Sequence, residues 1–283
     1  MNGLGRRVRT GTTLAVVAAG LLWLHSLLPA GVLSLVVMTL LALLAIWELD
    51  HMGSFQGRDL GLVLYPAALA SALVVGLGFL ERFGPLWELA IVYLFAGVSA
   101  PPFGKLVGIV MCHETPVRRE AFPLALWLLP PLFSIVLIDR GYGTAGLVVL
   151  IVLAKAGDNA AFFVGRSIGK RHPFPKISPG KTVAGCVASL VAGIVVGAVL
   201  LPMTLGERTP LQAALGGFLG AVINVAAQAG DLSESWVKRR AGVKDSSTLL
   251  GPSGGVLDVI DSLLLAAPVA LLAWTWAYPA AGR

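Results

Sequence analysis

Long apolar stretches limit the folds open to this chain more than any other feature. Hydrophobic residues make up 57% of its 283 residues and charged residues only 13%, whereas about a quarter of a soluble domain is charged. Several stretches reach the roughly 17–25 residues that a membrane helix needs. The sequence therefore predicts an all-α, polytopic integral membrane protein with about nine transmembrane helices. We place them near residues 12–29, 31–49, 60–80, 86–100, 122–138, 143–164, 183–203, 210–229 and 256–278.

The basic residues predict the orientation of these helices. With a cytoplasmic N-terminus, 16 of the 21 Lys and Arg residues lie in the N-terminal tail and the cytoplasmic loops, as the positive-inside rule requires. The net charge of +6 is then read as a topology signal and not as a sign of nucleic-acid binding. We expect a multi-pass protein of the inner (cytoplasmic) membrane whose active site faces the cytoplasm.

Charge concentrates in the second half of the chain. We predict that residues 1–142 are mainly structural helices and that residues 143–283 are catalytic, with cytoplasmic loops at 165–182 and 231–255. The segment 101–115 contains Pro101 and Pro102 and is either a further span or an interfacial or re-entrant piece.

Three acids near the last two spans are candidate metal ligands. Asp258 and Asp261 are three residues apart, which would place both on one helix face. Helix N-termini favour carboxylates, so capping is the alternative role. An acid within an apolar helix is costly and usually functional. With Asp231, at the end of the preceding span, these acids are candidate ligands for Mg²⁺, which prefers carboxylate and phosphate oxygens.

Basic and polar residues near these acids are candidate phosphate contacts. Lys181 lies in a loop with Ser178 and Thr182 that leads into a helix, although Pro175 excludes a P-loop. Lys155 and Asp158 are three apart inside a span and form either an ion pair or part of a polar cavity. The acids and bases that follow Asp231 include Lys238, Arg239, Lys244 and Asp245.

The order and spacing of these residues resembles the phosphatidate cytidylyltransferase (CDP-diacylglycerol synthase) family. The matching signature, here called the signature segment, runs from Ser235 to Asp261. It comprises Ser235, Lys238-Arg239, Lys244-Asp245, Gly254-Gly255, Asp258 and Asp261. Upstream, Gly157-Asp158, Gly165-Arg166, Gly169-Lys170 and Ser178 to Gly185 also resemble the family, so the resemblance covers about residues 150–265.

The resemblance implies transfer of CMP from CTP to phosphatidic acid, giving CDP-diacylglycerol and pyrophosphate. It implies catalytic roles for Asp158, Lys244 and Asp245 and a divalent metal on Asp231, Asp258 and Asp261. The implied substrate-binding residues are Ser178, Lys181, Thr182, Ser235, Lys238, Arg239, Gly254 and Gly255. The resemblance also allows a second cation such as K⁺, and a homodimer.

Three departures from the family pattern and two alternative functions leave the substrate undetermined at this point. Ser253 stands at the family's histidine position and Val259 between the two aspartates, where the family has arginine; Gly251-Pro252 reverses the usual order. One alternative is a related CTP-dependent enzyme, such as a polyprenol or dolichol-type kinase, in which Asp158 or Asp245 would act as base. The other is a cation-coupled transporter.

Overall fold

The computed structural model describes residues 20, 24, 27–28, 31–53, 60–77, 89–93, 121–251 and 254–279. Helices dominate these residues, and no β-strand occurs among them. Five helical stretches are long and apolar enough to cross a membrane. The prediction of an all-α membrane protein is thus confirmed, while the span count and the orientation remain predictions.

Seven helices have defined bounds in the described part of the chain, and the described residues 89–93 are also helical. The seven are α1 (Val32–His51), α2 (Leu60–Leu77), α3 (Ala121–Ile168), α4 (Val183–Thr204), α5 (Pro210–Ala241), α6 (Val256–Ile260) and α7 (Leu263–Ala277). Helix α3 consists of two helices joined at a kink, where Gly143 has φ 63° and ψ −166°. This backbone conformation is readily available only to glycine. The predicted span 12–29, the span 86–100 and the segment 101–115 lie largely or wholly outside the described residues.

The expected loop 231–255 is wrong for its first part, because α5 continues as a helix through Ala241. Residues 231–241 are mostly good helix formers. Glu234 and Lys238 add an (i, i+4) ion pair of 2.8 Å between Oε2 and Nζ, which supports a helix. Asp231 therefore lies within a helix and not at its end.

The last predicted span is also interrupted, at Asp261 and Ser262 between α6 and α7. Asp261 uses its own carboxylate oxygen Oδ1 to accept a hydrogen bond from the N–H of Ser262. Such local bonds compete with helical hydrogen bonding. Asp258 and Asp261 consequently do not share one uninterrupted helix face.

The chain forms two compact units. The first contains Met1–Leu137 and Arg240–Ile260, and the second contains Ile138–Arg239 and Asp261–Arg283. In the first unit, α1 packs against α2 and against the short α6, with Ile46, Leu49 and Leu64 fully buried. In the second unit, Trp274 is fully buried and contacts the ring of Tyr142 edge to face at 5.7 Å.

Large apolar side chains cover the outer faces of the membrane helices. On α4, Val187, Val191 and Val195 are each more than half exposed and recur every four residues along the helix. An apolar stripe of this kind is suited to lipid and not to water.

Glycines allow α4 and α5 to approach closely in the second unit. A Cβ at Gly216 would lie 2.5 Å from the backbone oxygen of Gly197. Cβ atoms at Gly197 and Gly220 would likewise overlap backbone atoms of the facing helix. Small residues at a helix–helix contact are typical of membrane proteins, where van der Waals packing drives association.

We predict that Gly216→Ala lowers the thermal unfolding temperature of the detergent-solubilised protein, because overpacking at this contact costs about 1–3 kcal/mol. The matched control is Gly217→Ala on the same helix, where the nearest atoms to a new Cβ are 3.5 Å away. Gly217→Ala should be neutral or stabilising, since alanine is the better helix former. Equal effects of the two changes would contradict the close contact.

Candidate active site

The second unit contains a half-open cavity of about 260 Å³ between α3, α4 and α5. Charged, polar and small residues all contribute to its lining. Its lining consists of Asp158, Ala161, Phe162, Gly180, Lys181, Thr182, Gly185, Cys186, Ser189, Gln228 and Asp231.

Lys181 and Asp231 form the shortest ion pair at this cavity. Lys181 Nζ lies 2.7 Å from Asp231 Oδ2, and the two side chains are 18% and 28% exposed. Lys181 Nζ also approaches the backbone oxygen of Gln228 at 3.5 Å. Because both charges are largely shielded from water, each depends on the other for compensation.

A second charge cluster adjoins the first in the same unit. Lys155 Nζ lies 3.3 Å from Asp158 Oδ2 and 3.8 Å from Asp261 Oδ1, and it donates a hydrogen bond of 3.0 Å to Ser262 Oγ. The ammonium group of Lys155 therefore lies within ion-pair distance of both carboxylates, while Asp158 also lines the cavity with Asp231. Three carboxylates and two ammonium groups are thus gathered in one unit, so the region has one more acid than base.

Local sequence explains how the loop before α4 presents its residues. Thr182 is the N-cap of α4, and its Oγ1 accepts a hydrogen bond of 3.1 Å from the N–H of Gly185. Ser178 lies in the preceding turn, where its N–H donates to Phe174 O and its carbonyl accepts from the N–H of Lys181. The cap and the turn fix the position from which Lys181 reaches Asp231.

The structure adds polar residues that the sequence analysis did not select. Asn224 Oδ1 accepts hydrogen bonds from Ser189 Oγ at 3.1 Å and from Gln228 Nε2 at 2.8 Å. Ser189 and Gln228 line the cavity. Asn224 and Gln228 are four residues apart in an apolar helix, and this spacing of intramembrane polar residues was a signal available in the sequence.

Three predicted residues follow Asp231 along α5. Ser235 Oγ lies 3.4 Å from Asp231 Oδ1, Lys238 is bound to Glu234, and the exposed Arg239 donates through Nε to Ile177 O at 3.1 Å. Lys238 is 9% exposed, so its charge is already compensated within the helix. The site roles of these three residues remain predictions.

The remaining predicted residues belong to the first unit. Asp258 Oδ2 accepts hydrogen bonds from Ser246 N, Ser246 Oγ and Gly255 N at 2.9, 2.6 and 2.7 Å. Gly254 has φ +81° and Gly255 is buried, whereas Lys244 and Asp245 are exposed. Asp258 therefore holds the turn before α6 together, which is the capping role that the sequence left open beside metal binding.

The acids of the second unit have the donor chemistry of a Mg²⁺ site. Among the described residues, no three His, Cys, Asp or Glu side chains are arranged as a preformed metal site. Mg²⁺ commonly binds through one or two carboxylates and completes its shell with water and substrate phosphates. Asp231 lines the cavity and Asp261 lies 3.8 Å from Lys155 Nζ in the same unit, so both are carboxylates of the kind that such a site uses.

Comparison with known proteins agrees with this architecture. The Cytidylyltransferase family model matches residues 5–276. A phosphatidate cytidylyltransferase of Pseudomonas aeruginosa is 34% identical over 242 residues, covering 83% of this chain and 86% of that protein. A phosphatidate cytidylyltransferase of Haemophilus influenzae is 39% identical over 138 residues, covering 46% of each chain.

Coverage of the other relatives is shorter. An uncharacterised protein of Escherichia coli, YnbB, is 39% identical over 131 residues, which is 45% of this chain and 41% of that protein. The matched region thus covers less than half of the H. influenzae and E. coli proteins, whereas it covers most of the P. aeruginosa protein. Because the family model covers nearly the whole chain, the chain belongs to the cytidylyltransferase family.

Proposed function

We propose that the protein is a phosphatidate cytidylyltransferase, which converts CTP and phosphatidic acid into CDP-diacylglycerol and pyrophosphate. The observation that carries this proposal is the cavity with its neighbouring charge cluster, where Asp158, Asp231 and Asp261 lie with Lys155 and Lys181 among apolar helices. Carboxylates and ammonium groups together suit a reaction between two phosphate-bearing substrates. The names of the P. aeruginosa and H. influenzae relatives support the choice of lipid.

The proposed reaction does not require a side-chain base to deprotonate the nucleophile. The phosphate monoester of phosphatidic acid has a second pKa of about 6 and is mostly ionised near neutral pH. One of its oxygens attacks the α-phosphorus of CTP, and the bond from that phosphorus to the bridging oxygen of the β-phosphate breaks. Pyrophosphate leaves with the electron pair of that bond, so the main barrier is the repulsion between two anions.

The cavity residues would reduce that repulsion in two ways. Lys181 and Lys155 would bind phosphate oxygens, exchanging their present carboxylate partners for substrate. Asp231 and Asp261 would hold Mg²⁺, which when bound would supply positive charge beside the phosphates. Lys238 and Arg239 would supply further positive charge from α5.

The apolar surroundings suit a lipid substrate. Acyl chains remain in the bilayer, because each CH₂ removed from it costs about 0.8 kcal/mol. Phe162, which lines the cavity, and its neighbour Phe163 are 59% and 67% exposed. We propose that the lipid enters sideways past these rings and that CTP enters from the cytoplasmic side of an inner membrane.

The proposal is tested with purified protein, radiolabelled CTP, Mg²⁺ and phosphatidic acid in mixed micelles. We expect labelled CDP-diacylglycerol and an equal amount of pyrophosphate. If the protein does not turn over phosphatidic acid but phosphorylates a prenol, the proposal is refuted and the protein is a lipid kinase.

We predict that Asp231→Asn and Asp261→Asn each lower kcat/KM by about 100-fold or more, because charge stabilisation at the reacting phosphates is lost. The assay above measures the effect, with the Mg²⁺ concentration varied. Glu207→Gln, in the exposed loop between α4 and α5, is the control and should behave as wild type. Full activity of both aspartate variants would remove these acids from the site.

We predict that Lys181→Met raises the KM for CTP or for phosphatidic acid by about 10- to 100-fold, the value of a charge-assisted hydrogen bond. Lys176→Met is a matched control, because Lys176 is an exposed lysine of the same loop. Steady-state kinetics with each substrate varied in turn would assign Lys181 to one phosphate. Unchanged KM values for both substrates would exclude a binding role for Lys181.

A further inference from the structure

Glu48 is a fully buried acid in the N-terminal half of the chain, close to the end of α1. Its Oε1 accepts hydrogen bonds from Val256 N and Ser247 Oγ, both at 2.7 Å. Its Oε2 accepts from Leu257 N at 2.9 Å and lies 3.0 Å from Ser246 Oγ, whose one hydrogen is shared with Asp258 Oδ2 at 2.6 Å. Three donors therefore serve Glu48 alone and a fourth is shared with Asp258, and all of them lie between residues 246 and 257.

This pattern is unusual for a residue that only fills the core. A buried carboxylate is costly unless strong hydrogen bonds compensate it. An apolar side chain would fill the same space in α1 without that cost. The two backbone N–H groups, the Ser247 hydroxyl and the shared Ser246 hydroxyl offset this cost only when residues 246–257 adopt one conformation, so Glu48 favours that conformation.

Glu48 is connected to the signature aspartate through one hydroxyl group. Ser246 Oγ lies 3.0 Å from Glu48 Oε2 and 2.6 Å from Asp258 Oδ2. The backbone N–H of Ser246 also donates to Asp258 Oδ2. A shift of Ser246 would therefore move the donors that orient the carboxylate of Asp258.

Gly255 leaves the space in which Glu48 and Ser246 meet. A Cβ at Gly255 would overlap both Ser246 Oγ and Glu48 Oε1, closer than real Cβ contacts allow. The absence of a side chain at Gly255 is thus what admits the carboxylate to the N–H groups of Val256 and Leu257. Gly255 of the signature segment and Glu48 are therefore packed against each other.

We propose that Glu48 is a positioning residue for the signature segment, holding residues 246–257 and, through Ser246, the carboxylate of Asp258. For its effect on catalysis the inference rests on the proposed function. Glu48 does not contact substrate. It acts by fixing the backbone from which α6 begins and from which the chain continues to Asp261.

The test compares Glu48→Gln with Asp50→Asn. Glutamine has nearly the same shape, but its NH₂ group would face donors in place of one acceptor oxygen. Asp50 lies two residues further along α1 and accepts a bond of 3.2 Å from Gly61 N, away from residues 246–257. Both full-length variants are purified in detergent and compared by hydrogen–deuterium exchange, thermal unfolding and steady-state kinetics.

We expect Glu48→Gln to accelerate amide exchange in peptides covering residues 246–260 and to lower kcat by about 10–100-fold, the usual effect of losing a supporting hydrogen-bond partner. The KM for phosphatidic acid should stay within about twofold, since the lipid does not contact Glu48. Asp50→Asn should leave exchange at 246–260 and kcat unchanged.

Two results would overturn the inference: unchanged exchange at residues 246–260 in Glu48→Gln, or an equal loss of kcat in Glu48→Gln and Asp50→Asn. If Glu48→Gln does not fold, Ser247→Ala removes one donor and keeps the carboxylate. It should then raise exchange at Val256 and lower kcat by about two- to tenfold, and a wild-type result would likewise overturn the proposal. An inactive wild-type protein would refute the proposed function alone, because the exchange measurement does not depend on turnover.

Discussion

The cost of placing charge among apolar helices governs the arrangement of this protein. A charge shielded from water needs a partner of opposite sign or several hydrogen bonds. Lys181 meets this requirement with Asp231, Lys155 with Asp158 and Asp261, and Glu48 with backbone and hydroxyl donors. In the proposed function, phosphates would replace the carboxylate partners of the two lysines, whereas the donors of Glu48 are backbone and hydroxyl groups of the fold itself. The same physical requirement is thus met by ion pairs in one unit and by hydrogen bonds in the other.

Close helix packing complements this electrostatic constraint. Without side chains at Gly197 and Gly216, α4 and α5 approach until their backbones touch. Further along the same pair of helices, Ser189 meets Asn224, and Gln228 extends the polar contact to the cavity. Since the apolar outer faces of these helices carry valines suited to lipid, polarity is confined to the inner side. The glycines therefore help to define where a polar cavity can exist within an apolar segment.

The sequence predicted the membrane helices because hydrophobic length is a local property that needs no knowledge of tertiary contacts. It also selected Asp158, Lys181, Asp231 and Asp261, because charge within apolar sequence is conspicuous. It did not predict that α5 continues beyond Asp231, since the segment that follows contains both helix formers and loop residues; the ion pair of Glu234 and Lys238 adds to the stability of the helix. Glu48 was missed for a different reason. Its donors are about 200 residues away in sequence, and no local pattern specifies such a contact.

Asp258 and Asp261 illustrate how two similar residues acquire different environments. They are three positions apart, yet Asp258 has one oxygen occupied by three donors, while Asp261 faces Lys155 and two other acids. Hydrogen bonds from a backbone turn fix the orientation of a carboxylate, whereas an excess of neighbouring acids favours binding of a cation. The break in helical bonding between α6 and α7 separates the two environments, because it lets Asp261 turn to its own local hydrogen bond. A regular helix would have given both carboxylates similar surroundings, so the interruption is what allows one acid to organise the signature segment and the other to serve the charged site.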